Sequence, residues 1–308
     1  MKCLIIDKVD ESIPRDLMKE MEVDIRLLPT KEELAEIIEP YDALIMRINP
    51  QIDRTVLDAA KNLKFIGVCS VGLNHIDQEA AKEKGIVVQN APGLNANAVA
   101  ELTLCKMLEL ARETCQANYD VKILHQWNKY KFMGRELRGK RLGILGFGRI
   151  GQRVGFLARA FGMSIWAYDP YLPAPVFEQQ EAESHSIAEI MENCDFVTIH
   201  VPLTDETRNL VCAEQIKKMK DGAYVLNMSR GGIVNEQDVY EALKSGKLGG
   251  YAADVMEEEL EDDPENFYSP LFECENFIVT PHAGAQTLDA AYDIGQFIVK
   301  KALETLNK

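Results

Sequence analysis

Positive charge is what this chain most lacks. Its 308 residues carry 34 Lys and Arg against 49 Asp and Glu, a formal net charge of −15. No Lys/Arg run is long enough to reverse that field locally, so nucleic acid is not an expected partner. Long apolar runs are missing too: nothing approaches the roughly 18 uninterrupted apolar residues of a membrane span. The start, Met1-Lys2-Cys3-Leu4-Ile5-Ile6-Asp7, breaks off at a charge too soon for a signal peptide and reads as a strand. Cysteine is unpatterned: the seven, at 3, 69, 105, 115, 194, 212 and 274, form no CxxC and no Cys/His spacing that fits zinc. Neither a disulfide framework nor a metal site is expected, and a reducing, cytoplasmic location follows.

What is present is ordinary globular composition, 46% hydrophobic and 27% charged, in a length that suits about two domains at roughly 150 residues each. Short apolar runs alternate with helix-period segments, the pattern of parallel strands joined by crossover helices, so the fold class is α/β. Strands are expected at residues 2–6, 24–27, 43–46, 65–69 and 87–89, with helices such as 31–38 and 56–61 between them, making one small doubly wound domain. A helical pattern over 97–111 leads into a polar segment, 114–139, that contains Trp127. A second series then offers six strands, at 141–145, 164–168, 196–201, 223–228, 250–255 and 277–280, and a final amphipathic helix at 290–306.

The strongest local signal is Gly146-Phe147-Gly148-Arg149-Ile150-Gly151, which follows the apolar run Leu142-Gly143-Ile144-Leu145 and opens a helical pattern. In that context Gly146 permits a tight turn, Gly148 lets the backbone approach a pyrophosphate, and Gly151 lets helix and strand pack closely. Asp169 ends the next strand, where its carboxylate can accept hydrogen bonds from ribose hydroxyls and would repel a 2′-phosphate. That favours NAD over NADP.

Ligands of open parallel sheets sit beyond the carboxyl ends of the strands, and three polar residues stand there: Arg230 before Gly231-Gly232, Asp254 after Gly250-Tyr251-Ala252-Ala253, and His282 after Phe277-Ile278-Val279-Thr280-Pro281. A guanidinium can grip a carboxylate in a fork, and an imidazole beside a carboxylate can exchange a proton near neutrality. Together they suit hydride transfer involving a 2-oxo acid. Each also has a plain structural reading. His200, another strand-end histidine, reads as structural or cofactor-adjacent, and an acidic run like that from Glu257 to Glu265 is usually just a solvated face.

These motifs, with Tyr168-Asp169-Pro170, His200-Val201-Pro202-Leu203-Thr204 and Thr207, Asn227-Met228-Ser229-Arg230-Gly231-Gly232, Ala253-Asp254-Val255-Met256-Glu257-Glu258-Glu259 and Pro281-His282-Ala283-Gly284, resemble the D-isomer-specific 2-hydroxyacid dehydrogenase family over almost the whole chain. The resemblance is strongest to its 3-phosphoglycerate dehydrogenase branch. It implies a discontinuous, flavodoxin-like substrate domain, residues 1–98 and 284–308, into which a Rossmann NAD-binding domain, 99–283, is inserted. It implies His282 as acid/base, Arg230 as substrate anchor and, five positions after Asp254, Glu259 as the partner of His282. Asp254 would bond the nicotinamide carboxamide. Arg149, Ile150, Val201, Pro202, Thr207, Met228, Ser229, Arg230, His282 and Gly284 would join the three glycines and Asp169 around the cofactor.

For substrate, the resemblance places Arg47 near a phosphate, Val71, Gly72 and Asn74 in the loop that holds the carboxylate, and Lys129 as a basic side chain from a neighbouring subunit. The implied reaction is NAD-dependent oxidation of 3-phospho-D-glycerate to 3-phosphohydroxypyruvate, the entry to serine biosynthesis. Alternatives are a hydroxypyruvate, glyoxylate or other D-2-hydroxyacid reductase and, in another class, a non-catalytic NAD-sensing protein like a corepressor. A homodimer is expected from Val121, Ile123, Leu124, Trp127 and Phe132. The length matches the family's two catalytic domains, so no serine-binding regulatory domain and no serine feedback through one are expected. Asn74-His75 and Leu260 depart from the family pattern, where Asp-Asn and proline are usual.

Overall fold

The computed structural model describes residues 1–259 and 266–307. The chain divides into two compact units, one made of Met1–Asn95 with Ala285–Lys308 and the other of Ala96–Gly284. The changeovers fall at 95/96, where the helix Ala96–Arg112 begins and takes its whole first turn into the second unit, and at 284/285, against the expected 98/99 and 283/284.

The first unit holds β1 (Lys2–Ile5), β2 (Glu22–Ile25), β3 (Ala43–Met46), β4 (Phe65–Val68) and β5 (Val87–Asn90), all parallel, in the order β2-β1-β3-β4-β5. This is the flavodoxin-like order. Alternate residues face opposite layers: Leu4 and Ile6 pack with Leu34, Leu44, Val56 and Ile66, while Cys3 and Ile5 pack with Ile45, Phe65, Ile294 and Ile298. The second layer is the C-terminal helix Leu288–Leu306, which comes so close that a Cβ on Gly67 would lie 2.6 Å from Ile298 Cγ2. β2 starts and ends two residues earlier than the expected 24–27. It is an edge strand with little burial, and Leu28 beyond it adopts φ 55 and is exposed, so the Leu27-Leu28 apolar signal belongs to no strand.

The second unit holds β6 (Arg141–Leu145), β7 (Ser164–Tyr168), β8 (Glu183–Ser184), β9 (Phe196–Ile199), β10 (Ala223–Asn227), β11 (Leu248–Ala253) and β12 (Phe277–Val279), again parallel, in the order β12-β11-β10-β9-β6-β7-β8. Strand order reverses between β6 and β9, as in a Rossmann sheet. Leu104, Met107, Val154 and Ala158 of the helices Ala96–Arg112 and Arg149–Ala160 cover one face, and Ile190, Ile216 and Val239 cover the other. Seven strands replace the expected six, since β8 is two exposed residues with no apolar signature. The polar segment 114–139 begins with the helix Thr114–Lys122, whose buried Asp120 accepts hydrogen bonds from Gln116 and Lys131. No helix among the described residues is long and apolar enough to cross a membrane.

Candidate active site

The glycine turn lies at the carboxyl end of β6, beside the strand-order reversal. Gly146 has φ 91, and a Cβ there would meet the backbone of His200 and Val201 at 2.7–2.9 Å. At Gly151 a Cβ would sit 2.2 Å from the Gly146 carbonyl oxygen, so the helix Arg149–Ala160 starts pressed against the turn. Gly148 is the opposite case: it is exposed, a Cβ would meet nothing within 4 Å, and as N-cap it offers no side-chain cap to the helix. A turn open at Gly148 and closed at Gly151, with uncapped helix N–H groups, is a cradle for a diphosphate. Asp169 lies alongside, Oδ2 accepting the Phe147 N–H at 3.0 Å and Oδ1 the Tyr171 N–H at 3.0 Å. Both oxygens retain lone pairs for ribose hydroxyls. These residues fit NAD.

After β9 and β10 the chain is stapled to itself. The Ser229 hydroxyl donates to the Val201 carbonyl, and the Thr207 hydroxyl donates to the Pro202 carbonyl at 2.6 Å while accepting the Thr204 N–H at 2.8 Å. Val201 and Met228 are buried and Pro202 is exposed. His200 is no general acid: burial pushes its pKa down to about 3, its Nε2 lies 3.0 Å from Thr198 Oγ1, and its Nδ1 has no partner among the described residues. It stays neutral as part of the strand end.

The second cluster is built on Asp254, buried at the end of β11. Its Oδ1 accepts the Thr280 hydroxyl at 2.5 Å and the Ala283 N–H at 2.9 Å, and its Oδ2 accepts the Gly284 N–H at 2.7 Å. The carboxylate therefore clamps the loop after β12. Gly284 must be glycine for this, since a Cβ would lie 2.8 Å from Asp254 Oδ2. Between the clamped residues, His282 is held in the left-handed region at φ 48, and its N–H bonds the Asp254 carbonyl at 2.8 Å. Its Nδ1 lies 2.8 Å from Glu259 Oε2. That hydrogen bond raises the His282 pKa, burial opposes it, and Arg230 lowers it through its charge. With Nδ1 committed to Glu259, proton exchange falls to Nε2. Arg230 is exposed, and its backbone is fixed by the buried Asn227, whose Nδ2 donates to the Arg230 carbonyl at 2.9 Å and whose Oδ1 accepts the Ser229 N–H at 3.2 Å. Sequence reasoning missed Asn227 and Thr280 as supports. The signal for Asn227 was an amide closing an otherwise apolar strand.

Arg47, Val71 and Gly72 meet in the first unit at the ends of β3 and β4. Asp7 Oδ2 accepts the N–H of Arg47 at 3.1 Å and of Ile48 at 3.3 Å, and the Ser70 hydroxyl lies 3.0 Å from the Arg47 carbonyl and 3.3 Å from that of Gly72. Asn90 Nδ2 donates to the Val71 carbonyl at 2.6 Å, and Asn74 is exposed further along the loop. Lys129 belongs to the second unit, exposed, with Nζ 4.8 Å from the Tyr130 ring centroid. Of the acidic run, Glu257, Glu258 and Glu259 are described, and residues 260–265, with Leu260, lie outside the described residues.

Residues 104–284 match the family model for the NAD binding domain of D-isomer specific 2-hydroxyacid dehydrogenases. The chain is 43% identical over 307 residues to a D-3-phosphoglycerate dehydrogenase of Methanocaldococcus jannaschii, covering 99% of this chain but only 57% of that protein. It thus spans little more than half of that relative. A hydroxypyruvate reductase of Thermotoga maritima is 39% identical, with 97% of this chain and 96% of that one covered. The crystal structure of a D-lactate dehydrogenase from Aquifex aeolicus, complexed with NAD and lactic acid, is similar with a TM-score of 0.83 and 28% identity, covering 99% of this chain and 95% of that chain. The glycine cradle, Asp169 and the His282–Glu259 pair therefore stand in a known frame: the chain belongs to the D-isomer specific 2-hydroxyacid dehydrogenase family, and its second unit carries that family's NAD-binding domain.

Proposed function

We propose that the protein oxidises 3-phospho-D-glycerate to 3-phosphohydroxypyruvate with NAD, the entry step of serine synthesis. The observation that carries the reading is the His282–Glu259 contact of 2.8 Å, on a sheet whose strand ends also carry Arg230 and the glycine cradle. Bound NAD supplies the hydride acceptor. His282 Nε2 takes the proton of the C2 hydroxyl, and Glu259 stabilises the imidazolium that results. Arg230 holds the substrate carboxylate in its fork. Arg47 supplies charge for the phosphate, and Lys129 does so from a second copy of the chain, so the active form is a homodimer; its proposed location is the cytoplasm.

A second reading, reduction of hydroxypyruvate or glyoxylate, is favoured by the Thermotoga maritima relative, which the chain matches almost end to end. Parallel kcat/KM measurements decide between them. The phosphorylated acid is expected to lead D-glycerate, and hydroxypyruvate and glyoxylate in the reverse direction, by about tenfold, the worth of one charge-assisted hydrogen bond. Arg47→Ala is expected to close that gap through KM for the phosphorylated substrate. A lead for hydroxypyruvate that survives Arg47→Ala establishes the second reading instead.

A further inference from the structure

Glu236 opens the helix Glu236–Lys244, directly after Asn235, whose side chain caps the helix by accepting the Asp238 N–H at 3.0 Å. In sequence it is an acidic residue in a first helical turn, where it complements the helix dipole. In the structure its Oε1 instead accepts the N–H of Glu257 at 2.7 Å, from the loop that follows β11. Among the described residues, the ionisable groups facing it are Glu257, Glu258 and Glu259 on that loop and Tyr251 on β11. Burial, then the charges of those three carboxylates, push its pKa up to about 7. A partly buried carboxyl surrounded by carboxylates is a costly arrangement, and its bond to the loop is the contact that offsets the cost.

The same loop is met by a second residue of the connection between β10 and that helix. A Cβ on Gly231 would lie 1.9 Å from the Met256 carbonyl oxygen and 2.9 Å from Glu257 Cα, so only glycine lets the two segments touch. Gly231 and Glu236 thus both hold the loop at Met256 and Glu257. Two residues on, Glu259 folds back with Oε1 3.3 Å from the Met256 N and Oε2 on His282.

Resting on the reading of His282 and Glu259 as the acid/base pair, we infer that Glu236 is a positioning residue: by holding the Glu257 N–H it sets the loop from which Glu259 reaches His282. Glu236 bonds the Glu257 N–H rather than a side chain of the pair, and acts through the backbone that leads to Glu259.

The test follows the His282 imidazole by NMR titration in the wild type, Glu236→Ala, Glu236→Gln and Glu259→Ala, with the resonance assigned by its loss in His282→Asn. No substrate is needed. Glu236→Gln keeps an oxygen that accepts the Glu257 N–H, so His282 should stay above the ordinary histidine range. Glu236→Ala should drop it to the value found in Glu259→Ala. Should Glu236→Ala not fold, Glu236→Met, which keeps the length and loses the acceptor, carries the same comparison. In turnover, Glu236→Ala should lose about tenfold in kcat with KM for NAD within about twofold, and Glu236→Gln should restore kcat. An unchanged His282 titration in a folded, NADH-binding Glu236→Ala overturns the inference. If the titrations come out as expected but the wild type turns over no D-2-hydroxy acid, the reading of the reaction falls and the positioning role stands.

Discussion

In the proposed reaction His282 is left one ring nitrogen for proton exchange, because the other is held by Glu259 at 2.8 Å, and that bond predicts a signed pH dependence. Oxidation of an alcohol needs the imidazole neutral, so its kcat/KM should rise with pH through the His282 pKa, which lies above the ordinary value. Reduction needs the imidazolium, so its kcat/KM should fall across the same interval. Glu259→Gln removes the negative charge that strengthens that bond and should move both limbs to lower pH. Limbs that do not move on Glu259→Gln would show that another group titrates. His200 stays out of these profiles, since burial keeps it neutral throughout. Sequence alone could place Arg230, Asp254 and His282 at strand ends, but it could not separate Glu259 from its acidic neighbours without the family resemblance. Its partner lies 23 positions away, and only the fold brings the two together.

At the scale of elements, the turn between β6 and its helix separates affinity from stability. Gly148→Ala adds a methyl into open space, so thermal unfolding should stay where it is while NAD binding weakens by about tenfold or more, because the methyl stands where a diphosphate must approach. Gly151→Ala should lower both, since its Cβ would press on the Gly146 carbonyl at 2.2 Å. Scanning fluorimetry with NADH-fluorescence titration checks the pair, and a Gly148→Ala protein that binds NADH normally would remove the cradle from the cofactor site. The elements legible in the sequence are those whose burial is total: β3, β4 and β10 are buried along their whole length and read as apolar runs, β10 as far as Leu226. The two residues of β8, and six-residue helices such as Ser12–Leu17 and Gln78–Glu83, are too short to show any period, and they form only because neighbouring elements give them something to pack on.

At the scale of the whole molecule, the segment after the helix Thr114–Lys122 leaves Trp127 86% and Met133 80% exposed, beside Ile123 and Tyr130. Single exposed apolar residues are common, but a run of them is the kind of surface the proposed homodimer would cover. Light scattering should report a dimer, and Trp127→Asp with Tyr130→Asp should yield a folded monomer of weakened activity toward the phosphorylated acid. A wild-type monomer with full activity would end the proposal of a shared site. The global charge of −15 predicts none of this, because recognition depends on a few placed side chains rather than on their sum. One backbone angle also matters for the molecule as a whole. A chain held at φ 48 is comfortable for glycine, asparagine and aspartate as well as histidine, and none of those three shuttles a proton near neutrality as an imidazole does. The replacements the fold accepts most readily at position 282 are thus the ones that silence the chemistry while sparing the glycine turn and the Asp254 clamp. Along a lineage, a single inherited change could retire the catalyst and leave behind an intact, dinucleotide-sensing protein.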